Sequence, residues 1–135
     1  INKKCKILGI CLGFQMLANS STEDGYTKGF GLIDSDVESF KKEELCGNKF
    51  THIGFNSVKT QKNGNLFVGL QIDPDFYFVH SFRIRNKPSK GILGFTNHGE
   101  DFISSYENDN VYGVQFHPEK SQMNGLIVIK NFLNQ

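Results

Sequence analysis

At 135 residues the chain is long enough for one domain built on one core. A charged fraction of 21% and a formal net charge of +1 exclude an electrostatically driven nucleic-acid binder. Cys5, Cys11 and Cys46 form neither a disulfide framework nor a zinc spacing and point to a reducing, cytoplasmic setting, and no apolar run nears the roughly 20 residues that span a bilayer.

Lys6 to Ile10, KILGI, reads as a short buried strand. The pattern changes at Cys11–Leu12–Gly13, and from Phe14 it reads as a helix with Phe14, Leu17 and Ala18 on one side. Asn19 to Lys28 is polar and reads as a loop. Gly29 to Ile33 reads as a tight apolar turn, Val37 to Phe40 as a short strand, and Lys41 to Asn48 as an exposed hairpin tip. Phe50 to Lys59 predicts a strand interrupted near Gly54 and Asn56, and Asn63 to Leu70 a turn with a short helical stretch. Asp75 to Phe82, DFYFVHSF, is dense in aromatic residues and predicts a strand. Arg83 to Lys90 reads as a basic loop closed by Pro88. Gly91–Thr96 and Asp101–Tyr106 form a hairpin around Asn97–His98–Gly99, and Asn108 to Asn110 is a further turn. Val111 to Phe116 predicts a strand that delivers His117, with Pro118 stopping the ladder. Met123 to Leu133 is a closing helix, weakened at Gly125, whose apolar residues exceed one stripe and predict tight packing on a sheet. The order fits an α/β domain with an antiparallel extension.

The chemistry gathers at two places. A cysteine where a strand turns into a helix has its sulfur pushed out of the sheet, and free N–H groups of the helix N-terminus favour thiolate over thiol. Gly9 and Gly13 leave room there for close packing and for a substrate. The mechanical analogue is the nucleophile elbow of hydrolases. Far downstream, His117 and Glu119 flank Pro118, and in an extended segment they point to the same side. The carboxylate then fixes the ring's tautomer and leaves its other nitrogen for a nucleophile, a Cys–His–Glu relay. Three other readings compete. Cys11, His80 and His117 could form a zinc trio; Phe76, Tyr77, Phe78 and Phe82 could form a base-stacking platform rather than core; and Arg83, Arg85, Lys87 and Lys90 could be either a solvated loop or a rim contact to a partner. A cysteine peptidase-like hydrolase is a fourth possibility, against which Gln15 and the HPE element speak.

The segments GICLGFQML and GVQFHPEKS resemble the two signature motifs of class I glutamine amidotransferases of the triad type. KGFGLI, HIGFNSV, YFVHSF and HPEKSQ extend the similarity over nearly the whole chain. Within the class they look closest to the glutaminase subunits of imidazole glycerol phosphate synthase, which act in histidine biosynthesis. The resemblance implies an α/β fold with a flavodoxin-like open mixed sheet that lacks its N-terminal part. Residues 1–135 would be one amidotransferase domain, its carboxy-terminal portion. It also implies Cys11 as nucleophile, His117 as general base and acid, Glu119 as the group orienting His117, and the Leu12 amide as an oxyanion donor. Gln15 and the backbone around His80, Ser81 and Phe82 would receive glutamine, with no cofactor. Ammonia would pass to a synthase or cyclase subunit of barrel fold, with Asn56, Ser81, Lys120 and Ser121 near the shared surface. Two departures stand out. The family's second oxyanion donor comes from a Gly-rich loop upstream of the cysteine strand, which nothing before Ile1 supplies, so the chain by itself is expected to be inactive and poorly soluble. Phe55 stands where the histidine-pathway subunit has Trp, which leaves open a related amidotransferase serving surface-polysaccharide sugar modification, or an inactive remnant.

Overall fold

The computed structural model describes residues 5–61, 64–85 and 87–135. In chain order the elements are β1 (Ile7–Ile10), α1 (Leu12–Met16), β2 (Ser20–Ser21), β3 (Thr27–Lys28), β4 (Asp36–Ser39), β5 (His52–Ser57), β6 (Lys59–Thr60), β7 (Asp75–His80), β8 (Phe82–Ile84), β9 (Ile92–His98), β10 (Glu100–Asn108), β11 (Val111–Val114) and α2 (Gln122–Leu133), with 3-10 turns at Lys42–Glu44 and Pro118–Lys120. The main sheet runs β1-β11-β10-β8-β4-β2-β3, with β9 beside β10 and β6 beside β9; β5 and β7 form a separate two-stranded ribbon.

The two ends of the chain meet in the parallel pair β1–β11, where Gly9 lies opposite Gly113. Helix α1 sits on this glycine pair. A Cβ on Gly9 would come within 2.7 Å of the Gly13 carbonyl oxygen, and one on Gly113 would strike the buried Phe14 ring. Only glycine on both strands lets the helix lie this close to the sheet. Gly13 itself has open space where a side chain would be. Phe14, Leu17, Ala18, Ile33, Val37, Ile84, Ile103 and Tyr106 form one core cluster under α1. A second cluster joins Phe76 and Phe78 of β7, Phe102, Val114, Phe116 and Val128 of α2, and the Phe76 and Phe116 rings stack at 4.0 Å. The aromatic run of β7 is therefore core, not a stacking platform for bases.

Several expectations change. The strand expected in mid-sheet, β1, ends the main sheet and pairs with β11 alone among the described residues. Residues 19–28 hold the small antiparallel pair β2–β3. Lys42–Glu44 is a 3-10 turn rather than a hairpin tip. Gly54, at φ 121°, lies inside an unbroken β5, which absorbs the irregularity without turning. The long aromatic strand breaks at Ser81: β7 belongs to the ribbon, while β8 crosses into the main sheet between β10 and β4. Arg83 is not in a loop. It lies on β8, 1% exposed, pairing with Glu44 and Glu100 and donating to the Glu38 and Ser39 carbonyls. Arg85 pairs with Glu38 and Glu44, so the basic cluster is spent largely inside the chain. The ends Asn63 and Asn86 of two expected segments lie outside the described residues. Helix α2 buries only Gly125 and Val128, while Met123, Leu126 and Leu133 are exposed; Gly125 is there because a Cβ would collide with the Pro118 carbonyl.

Candidate active site

Cys11 is the joint between β1 and α1. Its N–H still donates to Val114 on β11 at 2.8 Å, while its carbonyl already accepts the first helical bond, from Gln15 at 3.2 Å. Belonging to both elements forces φ 51° and ψ −108°, a conformation that costs an L-residue about 1–3 kcal/mol and persists where neighbours over-determine it. The thiol donates to Val79 O at 3.9 Å and receives the Gln115 amide at 3.7 Å.

The thiol's pKa moves against the expectation drawn from the helix terminus. Burial pushes it up, the Leu12 N–H and the Gln115 amide pull it down, and the Glu119 and Glu23 carboxylates raise it further; the net is upward. A helix of five residues offers too little dipole to offset desolvation. The resting group is a thiol, and a nearby base has to take its proton.

The parallel register that puts Ile10 opposite Val114 brings Gln115 level with Cys11. The strand runs on to His117, whose N–H donates to Tyr77 O at 2.9 Å. His117 Nδ1 donates to Glu119 Oε1 at 2.6 Å. The backbone that closes this contact is not extended but a 3-10 turn over Pro118–Lys120. With Nδ1 donating, Nε2 is the free acceptor of the neutral ring. Ser121 accepts the Tyr77 N–H at 2.9 Å and donates to His117 O at 2.6 Å, tying the turn to β7. Its side chain is buried, 1% exposed, so it holds His117 in place rather than offering a surface. Among the described residues, the thiol's hydrogen bonds go to Val79 and Gln115, and none joins it to His117.

A cleft of about 190 Å³ opens over the sulfur, lined by Cys11, Leu12, Gln15, Glu23, Val79, His80, Ser81 and Phe82. The break at Ser81 makes this wall irregular backbone. Gln15 is buried, and its Nε2 donates to Phe82 O at 2.8 Å and to Gln115 Oε1 at 3.0 Å. His80 uses both nitrogens, to His52 and to Phe82 O, so it has none left for the imagined zinc trio. No group of three or more His, Cys, Asp or Glu among the described residues could hold a metal. Asn56 is held within the chain by Asn97 O, His52 and the Ser57 N–H, and the Lys120 ammonium lies 5.9 Å from the Tyr77 ring centre. Sequence reasoning missed Gln115 and Glu23. The first could have been found from its alternation with His117; the second sits in an acidic loop with no distinguishing pattern.

Among relatives, the imidazole glycerol phosphate synthase subunit HisH of Leptospira borgpetersenii is 41% identical over 133 residues, 98% of this chain and 65% of that protein. HisH 1 of Parasynechococcus marenigrum is 45% identical over 129 residues, 95% of this chain and 61% of that protein. The chain thus spans less than two thirds of the length of these relatives. The crystal structure of a putative GMP synthase protein from Thermoplasma acidophilum superposes with a TM-score of 0.68 at 24% identity, covering 96% of this chain and 56% of the other. A glutamine amidotransferase from Thermotoga maritima gives 0.59 at 20% identity over 94% and 46%. These establish the fold, an α/β mixed sheet of the amidotransferase type. The family model "Glutamine amidotransferase class-I" matches residues 1–135, and by that match, from first residue to last, the chain belongs to the class-I glutamine amidotransferase family.

Proposed function

We propose that this chain carries the glutaminase centre of an imidazole glycerol phosphate synthase of histidine biosynthesis, hydrolysing the side-chain amide of glutamine through a thioester on Cys11. The observation that carries the reading is the strained cysteine at the β1–α1 turn, level with the strand that leads to the Glu119-bound imidazole of His117. The names of the relatives, synthase subunits HisH, support the pathway.

Glutamine lies in the cleft with its amide carbon over Cys11. The thiol turns away from Val79 O, His117 Nε2 takes its proton, and Glu119 stabilises the imidazolium. Sulfur adds to the amide carbon, and the oxyanion receives the Leu12 N–H. Collapse of the adduct breaks the C–N bond as His117 returns the proton to the departing nitrogen, releasing ammonia. His117 then deprotonates a water that attacks the thioester, and glutamate leaves with the thiol restored. Gln15 and the backbone at His80, Ser81 and Phe82 hold the substrate, and Glu23, the carboxylate of the cleft lining, accepts its α-ammonium. Ammonia passes to a synthase partner of barrel fold across the face that includes Asn56, Phe55 and Lys120. Three free cysteines suit a reducing, cytoplasmic compartment.

The test is glutamine hydrolysis, with synthase partner, by the Cys11→Ala variant. Turnover should fall by about 10³-fold or more, with glutamine binding kept. Wild-type turnover in the variant would refute the assignment.

A further inference from the structure

His52 and His80 face each other across the β5–β7 ribbon, with His52 Nδ1 3.0 Å from His80 Nε2. Their outer nitrogens are engaged too: His80 Nδ1 lies 2.7 Å from Phe82 O, and His52 Nε2 lies 3.1 Å from Asn56 Nδ2. A carbonyl only accepts, so His80 carries its hydrogen on Nδ1 and accepts at Nε2. His52 must then donate from Nδ1 and accept at Nε2. Asn56 can supply that last hydrogen, because the Ser57 N–H on its Oδ1 at 2.8 Å fixes the amide's orientation. One pair of tautomers satisfies the whole chain, and both rings must be neutral.

The surroundings enforce this. The His52 ring is sandwiched between Phe78 at 4.6 Å and His98 at 4.3 Å. Burial, with the neighbouring His80 and His98 rings, pulls His52 down to about 3. Burial pulls His80 down to about 4, partly opposed by its bond to Phe82 O, with His98, Arg83 and His117 lowering it further. The far end of the chain of bonds is the cleft wall. Phe82 O accepts from both His80 Nδ1 and Gln15 Nε2, Gln15 donates to Gln115, and Gln115 donates to the Cys11 sulfur.

We propose that His52 and His80 form a positioning relay that locks the Phe82 carbonyl, and with it Gln15, in the orientation that receives glutamine. The proposal rests on the glutamine reading above and assigns the pair no contact with the reacting atoms. Removing the His52 donor leaves His80 Nε2 buried and unpaired and frees His80 to take the other tautomer, which releases Phe82 O. The cleft then loses glutamine affinity while the thiol keeps its intrinsic reactivity.

The experiment follows covalent labelling of Cys11 in the whole protein by peptide mass spectrometry. A glutamine-mimicking diazoketone, with free glutamine as protector, is compared with iodoacetamide. In His52→Leu, the glutamine concentration needed for protection should rise about tenfold or more, as expected for one buried acceptor left unpaired, with the iodoacetamide rate unchanged. His52→Asn, whose amide sits near Nδ1 and can still donate to His80, should restore protection. Unchanged protection in His52→Leu, with the wild type protected, overturns the relay and leaves the glutamine reading standing. A wild type that glutamine does not protect overturns the glutamine reading, and the relay with it. If His52→Leu fails to fold, His52→Gln, which carries its amide beyond the Nδ1 position, takes its place under the same criterion. Nitrogen-15 NMR of the wild-type rings gives an independent check: Nδ1–H tautomers at both residues are expected, and an Nε2–H tautomer at His80 overturns the proposal.

Discussion

Lowering the pH from 7.5 to 5.0 should weaken the fold through the same two histidines. His52 and His80 are buried neutral, with folded pKa values near 3 and 4 against an ordinary 6.5. A depressed histidine pKa means that the unfolded chain binds protons first. The stability these rings contribute is therefore complete above about pH 6.5 and is lost as pH falls toward their folded values. At pH 5.0 each ring costs about 2 kcal/mol relative to pH 7.5, so the pair costs roughly 4 kcal/mol if they act independently. A domain of this size has about 5–15 kcal/mol in total. Glu107 opposes the trend, because burial raises its folded pKa despite the Asn65 and Leu66 N–H groups. Glu44, held low by Arg85, Arg83 and Lys41 although burial pushes the other way, loses its contribution only below this window. Urea melts at the two pH values, with an m value of about 2 kcal/mol/M, should differ by up to about 2 M in midpoint. The variant carrying His52→Asn and His80→Asn should lose most of that difference. A wild-type midpoint that barely moves, or an equal shift in the variant, would refute the neutral-pair reasoning.

Further outcomes follow from the elbow. Cys11→Gly relieves the strained φ and should raise stability by about 1 kcal/mol, net of glycine's chain entropy, while ending turnover; a lowered urea midpoint would contradict this. Gly113→Ala drives a methyl into Phe14 and should cost about 1–3 kcal/mol and slow Cys11 labelling. Gly13→Ala meets open space and should be stable or gain up to about 1 kcal/mol; equal melting of the two alanine variants would show that the glycine seat does not set the helix position.

Much of the fold was legible because local signals agreed. The hairpin at Gly99, the turn at Asp109 and the strand into His117 all have turn residues at their ends. The readings that failed depended on distant partners. Arg83 looked like a loop residue because its counter-charges, Glu44 and Glu100, come from other segments. The break at Ser81 is invisible in DFYFVHSF, since both halves have strand composition and only their neighbours differ. The His117–Glu119 contact was foreseen, but through extended backbone instead of a 3-10 turn, because Pro118 is compatible with either. The thiol's upward shift could not be read from the motif, which shows the helix terminus but not the carboxylates facing the sulfur.

The interruption at Ser81 has a mechanical consequence. One side of the cleft belongs to the ribbon and the other, through Cys11, to the main sheet. Its width is therefore a spacing between two separately hydrogen-bonded bodies, maintained by aromatic packing such as the Phe76–Phe116 stack. A force on the outer ribbon that slides it against the sheet would change the aperture over the sulfur without breaking a single ladder bond.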